Sequence, residues 1–337
     1  MVQLTPGLFG SATSNFRKSF KIPDKNMLRW FPGHMSKGIQ QMQNTLRSVD
    51  CIIELHDARI PISGRNPNFK HTVSGIKPHI LVLNKMDLAD LKRENDIKEA
   101  VMKGGGINEV IFTNCKTSFN VAKIIPMAKE LIQASNRYHR AEVKEFNLMV
   151  IGVPNVGKSS LLNTIRNLHL KKGGGAPVGA HAGVTKGVTT RVKVCSDPLV
   201  FVFDTPGILT PTIPNIETGM KLALCGTTQD HLVGHINLAD YLLYWFNKVE
   251  NFRYVQTYDL DGPCDNIGLV LAKIAVNFRL FHRSKNLEGA WQMRPSIEQA
   301  ALLFIAEFRK GSFGKILLDK DILFPVEKER TEAISGT

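Results

Sequence analysis

Residues 151–160 read IGVPNVGKSS. Gly152, Gly157, Lys158 and Ser159 stand in the G-x-x-x-x-G-K-[ST] spacing of a phosphate-binding loop. The glycines let backbone N–H groups close around phosphates. Lys158 is expected to reach the β- and γ-phosphates, and the Ser159 hydroxyl to bind Mg²⁺. Asn155, Val156 and Ser160 complete the nucleotide-facing run. The context fits. An apolar strand, residues 146–151, precedes the loop, and a helical pattern carrying Leu161, Leu162 and Ile165 follows it. The helix N-terminus adds a dipole that favours the anion.

Working outward, short apolar runs alternate with longer amphipathic stretches. The runs are residues 51–55, 79–83, 110–113, 148–152, 192–194 and 199–203, and residues 119–134 read as a helix. That alternation predicts an α/β fold with a doubly wound, mostly parallel sheet. From residue 216 the pattern changes to apolar residues in helix-length stretches, which predicts a smaller C-terminal all-α domain. The expected boundaries are an arm at 1–26, a nucleotide-binding domain at 27–215, a helical domain at 216–323 that binds RNA or the ribosome, and a frayed tail at 324–337.

Residues 81–88 read LVLNKMDL. After a buried strand, the Asp87 carboxylate would accept from guanine N1–H and the exocyclic N2 amine together. Adenine offers neither donor, so an ATP complex would leave the buried charge unpaired. Asn84 would support the loop and the base, and the Lys85 stem would cover the ring. Asn114, Cys115 and Lys116, one strand and one helix later, form the expected second base loop, where a backbone N–H would meet guanine O6. Asp204-Thr205-Pro206-Gly207 ends another apolar run. Asp204 would hold Mg²⁺ through water, and the Gly207 N–H would sense the γ-phosphate. Thr185 is the expected last metal ligand, with Thr189 and Thr190 as alternatives.

A common small GTPase runs phosphate loop, switch threonine, D-x-x-G, N-K-x-D and last base loop. Here N-K-x-D comes first and D-x-x-G last. The order is therefore circularly permuted, which a compact domain with neighbouring termini tolerates.

Composition narrows the partners. The 337 residues carry a net charge of +13, which points to a polyanion, either RNA or an acidic membrane surface. DNA is not expected. No apolar run reaches 18 residues, so no spanning helix is predicted. The five cysteines are scattered without a C-x-x-C pair, which fits reduced, mostly buried thiols. The arm holds Arg17, Lys18 and Lys21 against the single acid Asp24. It reads as a mitochondrial transit peptide or as a basic arm that stays in place. Seven basic residues and no acid lie between Lys158 and Ser196. Lys158 belongs to the nucleotide; the other six form one candidate RNA-facing patch, and Arg309, Lys310 and Lys315 a second.

Together these residues resemble the circularly permuted YlqF/RbgA family of ribosome-assembly GTPases. Trp30-Phe31-Pro32-Gly33-His34-Met35, Asp57-Ala58-Arg59-Ile60-Pro61, Lys221-Leu222-Ala223 and Phe308-Arg309-Lys310-Gly311 carry the likeness beside the nucleotide motifs. Within that family the basic arm points to its mitochondrial ribosome-associated members. The resemblance implies GTP and GDP as ligands and a role in assembling the mitochondrial large ribosomal subunit, made of rRNA and ribosomal proteins. It also implies a matrix location and peripheral attachment to the inner membrane. Ile208 stands where many GTPases place a water-orienting glutamine. The resemblance offers His34 for that task, against a structural role beside Trp30. Asn155 resembles the asparagine of potassium-activated GTPases, where K⁺ would act as an arginine finger does; an ordinary loop residue is the other reading. The alternative to a GTP-hydrolysing switch is a nucleotide-stabilised binding module with negligible turnover.

Overall fold

The computed structural model describes residues 16–21, 43–65, 77–137, 140–170, 190–205, 213, 215–285 and 289–325. They divide into two compact units. One is drawn from Phe31–Pro211 and Lys315–Thr337, the other from Met1–Trp30 and Thr212–Gly314.

The first unit is built on β1 (Cys51–Asp57), β2 (His79–Asn84), β3 (Glu109–Phe112), β4 (Phe146–Ile151), β5 (Thr190–Ser196) and β6 (Leu199–Asp204). The sheet order is β3-β2-β1-β4-β6-β5. Every pairing is parallel except the β5–β6 edge. Helices α1 (Glu94–Met102), α2 (Ile124–Gln133) and α3 (Lys158–Leu170) make the crossovers. With both faces covered, β1 and β2 are buried along their whole length. Leu81 and Leu83 project from one face of β2 and share a core with Ile97 and Val101, four residues apart on α1. Residues 119–134 were expected as one helix. The α-helix begins only at Ile124, because Phe119 is held in a bridge with Asn114 and Asn120 takes a left-handed turn.

The central strand carries charge. Glu54 is buried between His56 Nε2 at 2.8 Å and His79 Nε2 at 2.9 Å, with Arg65 at 3.2 Å. Burial would raise this carboxyl, but the histidine hydrogen bonds hold it well below the usual carboxylate range. Asp57 is likewise held low against burial by Arg59 and Lys85.

The end of the chain departs from the expected boundaries. Residues 315–324 belong to the sheet unit, not to the helical one. Ile316 N–H donates to Leu88 O and Leu318 N–H to Arg59 O, both at 2.9 Å. Leu317 joins the α1 core cluster. The buried Asp319 carboxylate accepts from Ile62 N and Ser63 N at 2.8 Å and from Ser63 Oγ at 2.5 Å. Phe324, placed in the frayed tail by sequence, lies under the Arg93 guanidinium at 3.8 Å. Residues 326–337 of that tail are outside the described residues.

The second unit comprises α4 (Ile216–Leu224), α5 (Asp230–Val233), α6 (His235–Lys248), α7 (Arg253–Tyr258), α8 (Ile267–Asn277) and α9 (Ile297–Lys310). A short helix, α10 (Lys320–Leu323), belongs to the docked end of the sheet unit. Asn215, Asn266 and Ser296 cap α4, α8 and α9 with side-chain acceptors. Phe246, Tyr254, Tyr258, Phe304 and Phe313 pack as an aromatic core; the Phe246–Phe313 centroids are 5.0 Å apart, edge to face. The unit is not all-α. A hairpin of β7 (Phe281–Lys285) and β8 (Trp291–Pro295) stands between α8 and α9. Its strands mix charges with apolar residues, so no alternating core face shows in the sequence.

Residues 16–21, read as part of the arm, pack into this unit. Arg17 pairs with Asp240 at 2.7 Å and Asp265 at 3.0 Å, and Phe20 lies edge-on to Tyr241 at 5.0 Å. Arg309, read as an RNA-facing cation, is committed elsewhere. It donates to the α4 carbonyls of Ala223 and Leu224 and grips Asp230 with two 2.7 Å bonds.

Asp319→Ala would leave Ile62 N–H, Ser63 N–H and Ser63 Oγ without their buried acceptor. The expected cost is about 3 kcal/mol, read as a clear drop in thermal unfolding midpoint. An unchanged midpoint would show that the docked segment contributes nothing.

Candidate nucleotide-binding site

The expected motifs follow the carboxyl ends of parallel strands β2, β3, β4 and β6, where open α/β sheets bind ligands. Between β4 and α3 the backbone turns through Gly152 at φ +152°, Asn155 at +59° and Gly157 at +103°. A Cβ at Gly152 would sit 2.2 Å from Leu55 O of β1, and one at Gly157 2.5 Å from Asn84 Nδ2. Both positions therefore demand glycine. Lys158 is buried, and its ammonium donates to Gly152 O at 3.1 Å and Val153 O at 3.0 Å. Burial pulls its pKa down to about 8, partly opposed by Asp204.

Asn84 joins the loops. Its Nδ2 donates to Val156 O at 2.9 Å. Its Oδ1 accepts from Cys115 N at 3.1 Å and Thr113 Oγ1 at 3.4 Å. One side chain thus ties the base-reading motif to the phosphate loop and to the second base loop. Thr164 of α3 adds a hydroxyl bond to Cys115 O at 3.2 Å. Lys85 takes a left-handed backbone, and its ammonium pairs with Asp57 at 3.1 Å. Asp87 is exposed on the turn Met86–Leu88, whose backbone is fixed by Met86 N to Thr113 O at 3.1 Å. In the second base loop Asn114 Oδ1 accepts from Lys116 N at 2.9 Å. The N–H groups of Cys115 and Lys116 thus already have side-chain acceptors. Burial pushes the Cys115 thiol up to about 12, so it is no nucleophile.

Asp204 ends β6 opposite Val150 of β4, and Thr205 Oγ1 donates to Val150 O at 2.7 Å. Burial raises the Asp204 carboxyl, and Lys158 pulls it back. Thr190 is in register with Asp204 across the β5–β6 edge. His34, Thr185, Thr189, Gly207 and Ile208 lie outside the described residues. Of the basic residues around residues 171–189, Arg191 bonds Glu145 and Asn147 and covers the Phe201 ring.

A family model described as 50S ribosome-binding GTPase matches residues 147–262. Two curated relatives are called mitochondrial ribosome-associated GTPase 1. The Mus musculus protein is 49% identical, with 96% of this chain and 99% of the relative aligned. The Bos taurus protein is 50% identical, with 96% and 98% aligned. The chain belongs to the mitochondrial ribosome-associated GTPase family. A solved GDP-bound YlqF structure is 22% identical and covers 82% of this chain and 97% of its own, with a TM-score of 0.49.

GTPases of this kind generally use Mg²⁺, and the residues of this family member fit it. Ser159 and Asp204 offer hard oxygen donors, and burial makes Asp204 a carboxylate that a cation would stabilise. Among the described residues no cluster of three His, Cys, Asp or Glu could hold a metal alone. Ser159 and Asp204 would hold the ion, and it would supply positive charge against the phosphates. The backbone turn and Lys158 would hold the phosphates; Asn84 and Asp87 would orient the base. Sequence reading met Asp57 only within the Asp57–Pro61 likeness and gave it no role; in the structure it anchors Lys85.

Asn84→Ala should cut guanine-nucleotide affinity at least tenfold while circular dichroism stays unchanged, since one amide aligns three segments; equal affinity would refute the cross-link. Lys158 supplies a pH test. Phosphates would lift its pKa well above the nucleotide-free value near 8. Binding should therefore take up a proton above pH 8, and affinity should fall as pH rises through that point while staying flat below it. Calorimetry at pH 8–9 in two buffers of different ionisation enthalpy measures the uptake; no uptake would contradict the burial of Lys158.

Proposed function

We propose that the chain is a GTP-hydrolysing switch that acts in assembling the mitochondrial large ribosomal subunit, and so in mitochondrial translation. The observation that carries the nucleotide half is the Asn84 cross-link, which brings the base-reading and phosphate motifs together although 72 residues separate its ends. The relatives' printed names and the ribosome-binding family model support the ribosomal half. The net charge of +13 suits rRNA as the surface met.

The chain is a circularly permuted GTPase. Its base motif follows β2 and its phosphate loop follows β4, with β1 between them in the sheet. Thr185 closes the metal shell with Ser159 and Asp204, and the Gly207 N–H reads the γ-phosphate. Ile208 cannot orient water. His34 takes that role, and K⁺ beside Asn155 stabilises the transferring phosphoryl group. Turnover is slow alone and rises on the ribosome.

The protein works in the mitochondrial matrix, with peripheral contact to the inner membrane. Among the described residues no helix is long and apolar enough to cross a membrane. The leader ends before Phe16, since Arg17 and Phe20 are structural parts of the helical unit. Ile208 also favours a second reading, a nucleotide-stabilised RNA-binding module with negligible turnover.

Single-turnover GTP hydrolysis separates the two. The rate should rise at least tenfold on adding mitochondrial large subunits, and the rise should vanish in His34→Ala. Equal rates with and without subunits would favour the binding module. Equal rates in KCl and NaCl would remove K⁺ from the mechanism.

A further inference from the structure

The β7–β8 hairpin belongs to the helical unit and carries none of the nucleotide motifs. It is rooted in the helical unit by Ser296 N to Leu280 O at 2.8 Å. The register pairs Phe281 with Pro295, Arg283 with Met293 and Lys285 with Trp291. Side chains alternate across a ribbon, so Phe281, Arg283, Lys285, Trp291 and Met293 share one face. That face is open: Trp291 is 58% exposed and Met293 63%. Single exposed apolar residues are ordinary, but an indole, a thioether and a phenyl ring on one ribbon face form a patch. Cations are interleaved with it. Arg283 lies 5.2 Å and Lys285 5.3 Å from the Trp291 ring centroid. His282 and Arg294 pair on the opposite face, and the described residues of both strands include no acid.

We propose that this face binds unpaired nucleotides of RNA, with a base stacked on Trp291 and phosphates paired with Arg283 and Lys285. Aromatic platforms beside cations are the arrangement that holds single strands. A regular RNA duplex keeps its base faces inside the stack and offers Trp291 none to stack on. A lipid surface fits less well. Membrane-inserting faces segregate apolar residues from charges, whereas here two cations flank the indole on the same face. The inference rests on the reading that the chain's partner is ribosomal, and it names where that RNA is held.

The full-length protein is titrated against a fluorescent 12-nucleotide single-stranded RNA, the same RNA as a duplex, and cardiolipin-containing vesicles. The single strand should bind best. Trp291→Ala should weaken it about tenfold, and Trp291→Phe should keep most of the affinity. Arg283→Ser with Lys285→Ser should weaken binding and lower the salt slope by about 1.4, the value for two phosphates. These side chains are exposed, so intrinsic GTP turnover should not change. Wild-type affinity in Trp291→Ala, preference for the duplex, or variants that lose vesicle binding but keep RNA binding would each overturn the proposal. Subunit-stimulated turnover of the wild type reports separately on the ribosomal reading. If stimulation persists while Trp291→Ala binds RNA normally, only the hairpin assignment falls.

Discussion

A single buried amide sets the geometry of the nucleotide site. Asn84 gives its N–H to the phosphate loop and its oxygen to the second base loop, so both ends are satisfied by segments from different strands. An amide in that position is unforgiving, since any shift of one loop leaves a buried donor or acceptor unpaired. It also dictates sequence elsewhere. Gly157 must lack a Cβ because Asn84 Nδ2 occupies that space. Because the bond acts across the sheet, it is indifferent to which motif the chain reaches first. A chain that reaches Asn84 before the phosphate loop thus loses nothing at the site, provided β1 keeps β2 and β4 at their fixed separation.

β1 does so while carrying ionisable groups that a parallel strand in mid-sheet seldom tolerates. Asp57 holds Arg59 in its own turn and Lys85 in the base motif. Removing it would strand a buried guanidinium, which costs more than the pair itself contributes. The same turn receives the docked chain end through Arg59 O, Ile62 N and Ser63 N, and Leu88 O receives Ile316. The backbone beneath Asp87 is therefore gripped from two sides, by Thr113 and by a segment more than 200 residues away. This suits the role expected of Asp87, whose carboxylate would meet two guanine donors at once, so that a small misplacement would lose both bonds.

The nucleotide motifs were legible because each is short, contiguous and tied to a strand end whose apolar run is equally plain. What escaped depends on distant partners. Leu317 and Asp319 fall by sequence inside the expected helical domain, 216–323, and only the core of α1 and the turn at Ile62 show where they belong. Arg309 reads as a free cation next to Lys310, yet the C-terminal carbonyls of α4 and Asp230 absorb it. Phe16 to Lys21 reads as a basic leader because local composition cannot reveal Asp240 and Asp265 waiting across the fold. The hairpin hid for another reason. Neither of its faces is buried, so the period-two pattern that betrays a half-buried strand never forms.

The covalent path between the two units gives these details a common consequence. The chain passes between them within residues 22–42, 205–215 and 311–316. The first stretch contains His34. The second begins immediately after Asp204, whose carboxyl is raised by burial and answers to Lys158. The third ends on Ile316, bonded to Leu88 of the base motif. A ligand shifts a conformational equilibrium only through contacts that differ between the states. Here phosphates would relieve the buried Lys158, a cation would relieve Asp204, and a bound base would brace the turn that receives Ile316. Two of these reliefs, at Asp204 and at the turn bonded to Ile316, fall at the root of a connection to the helical unit. Coupling between nucleotide and that unit would then need no long relay through the core, and by linkage a partner held by the helical unit would alter nucleotide affinity by the same factor.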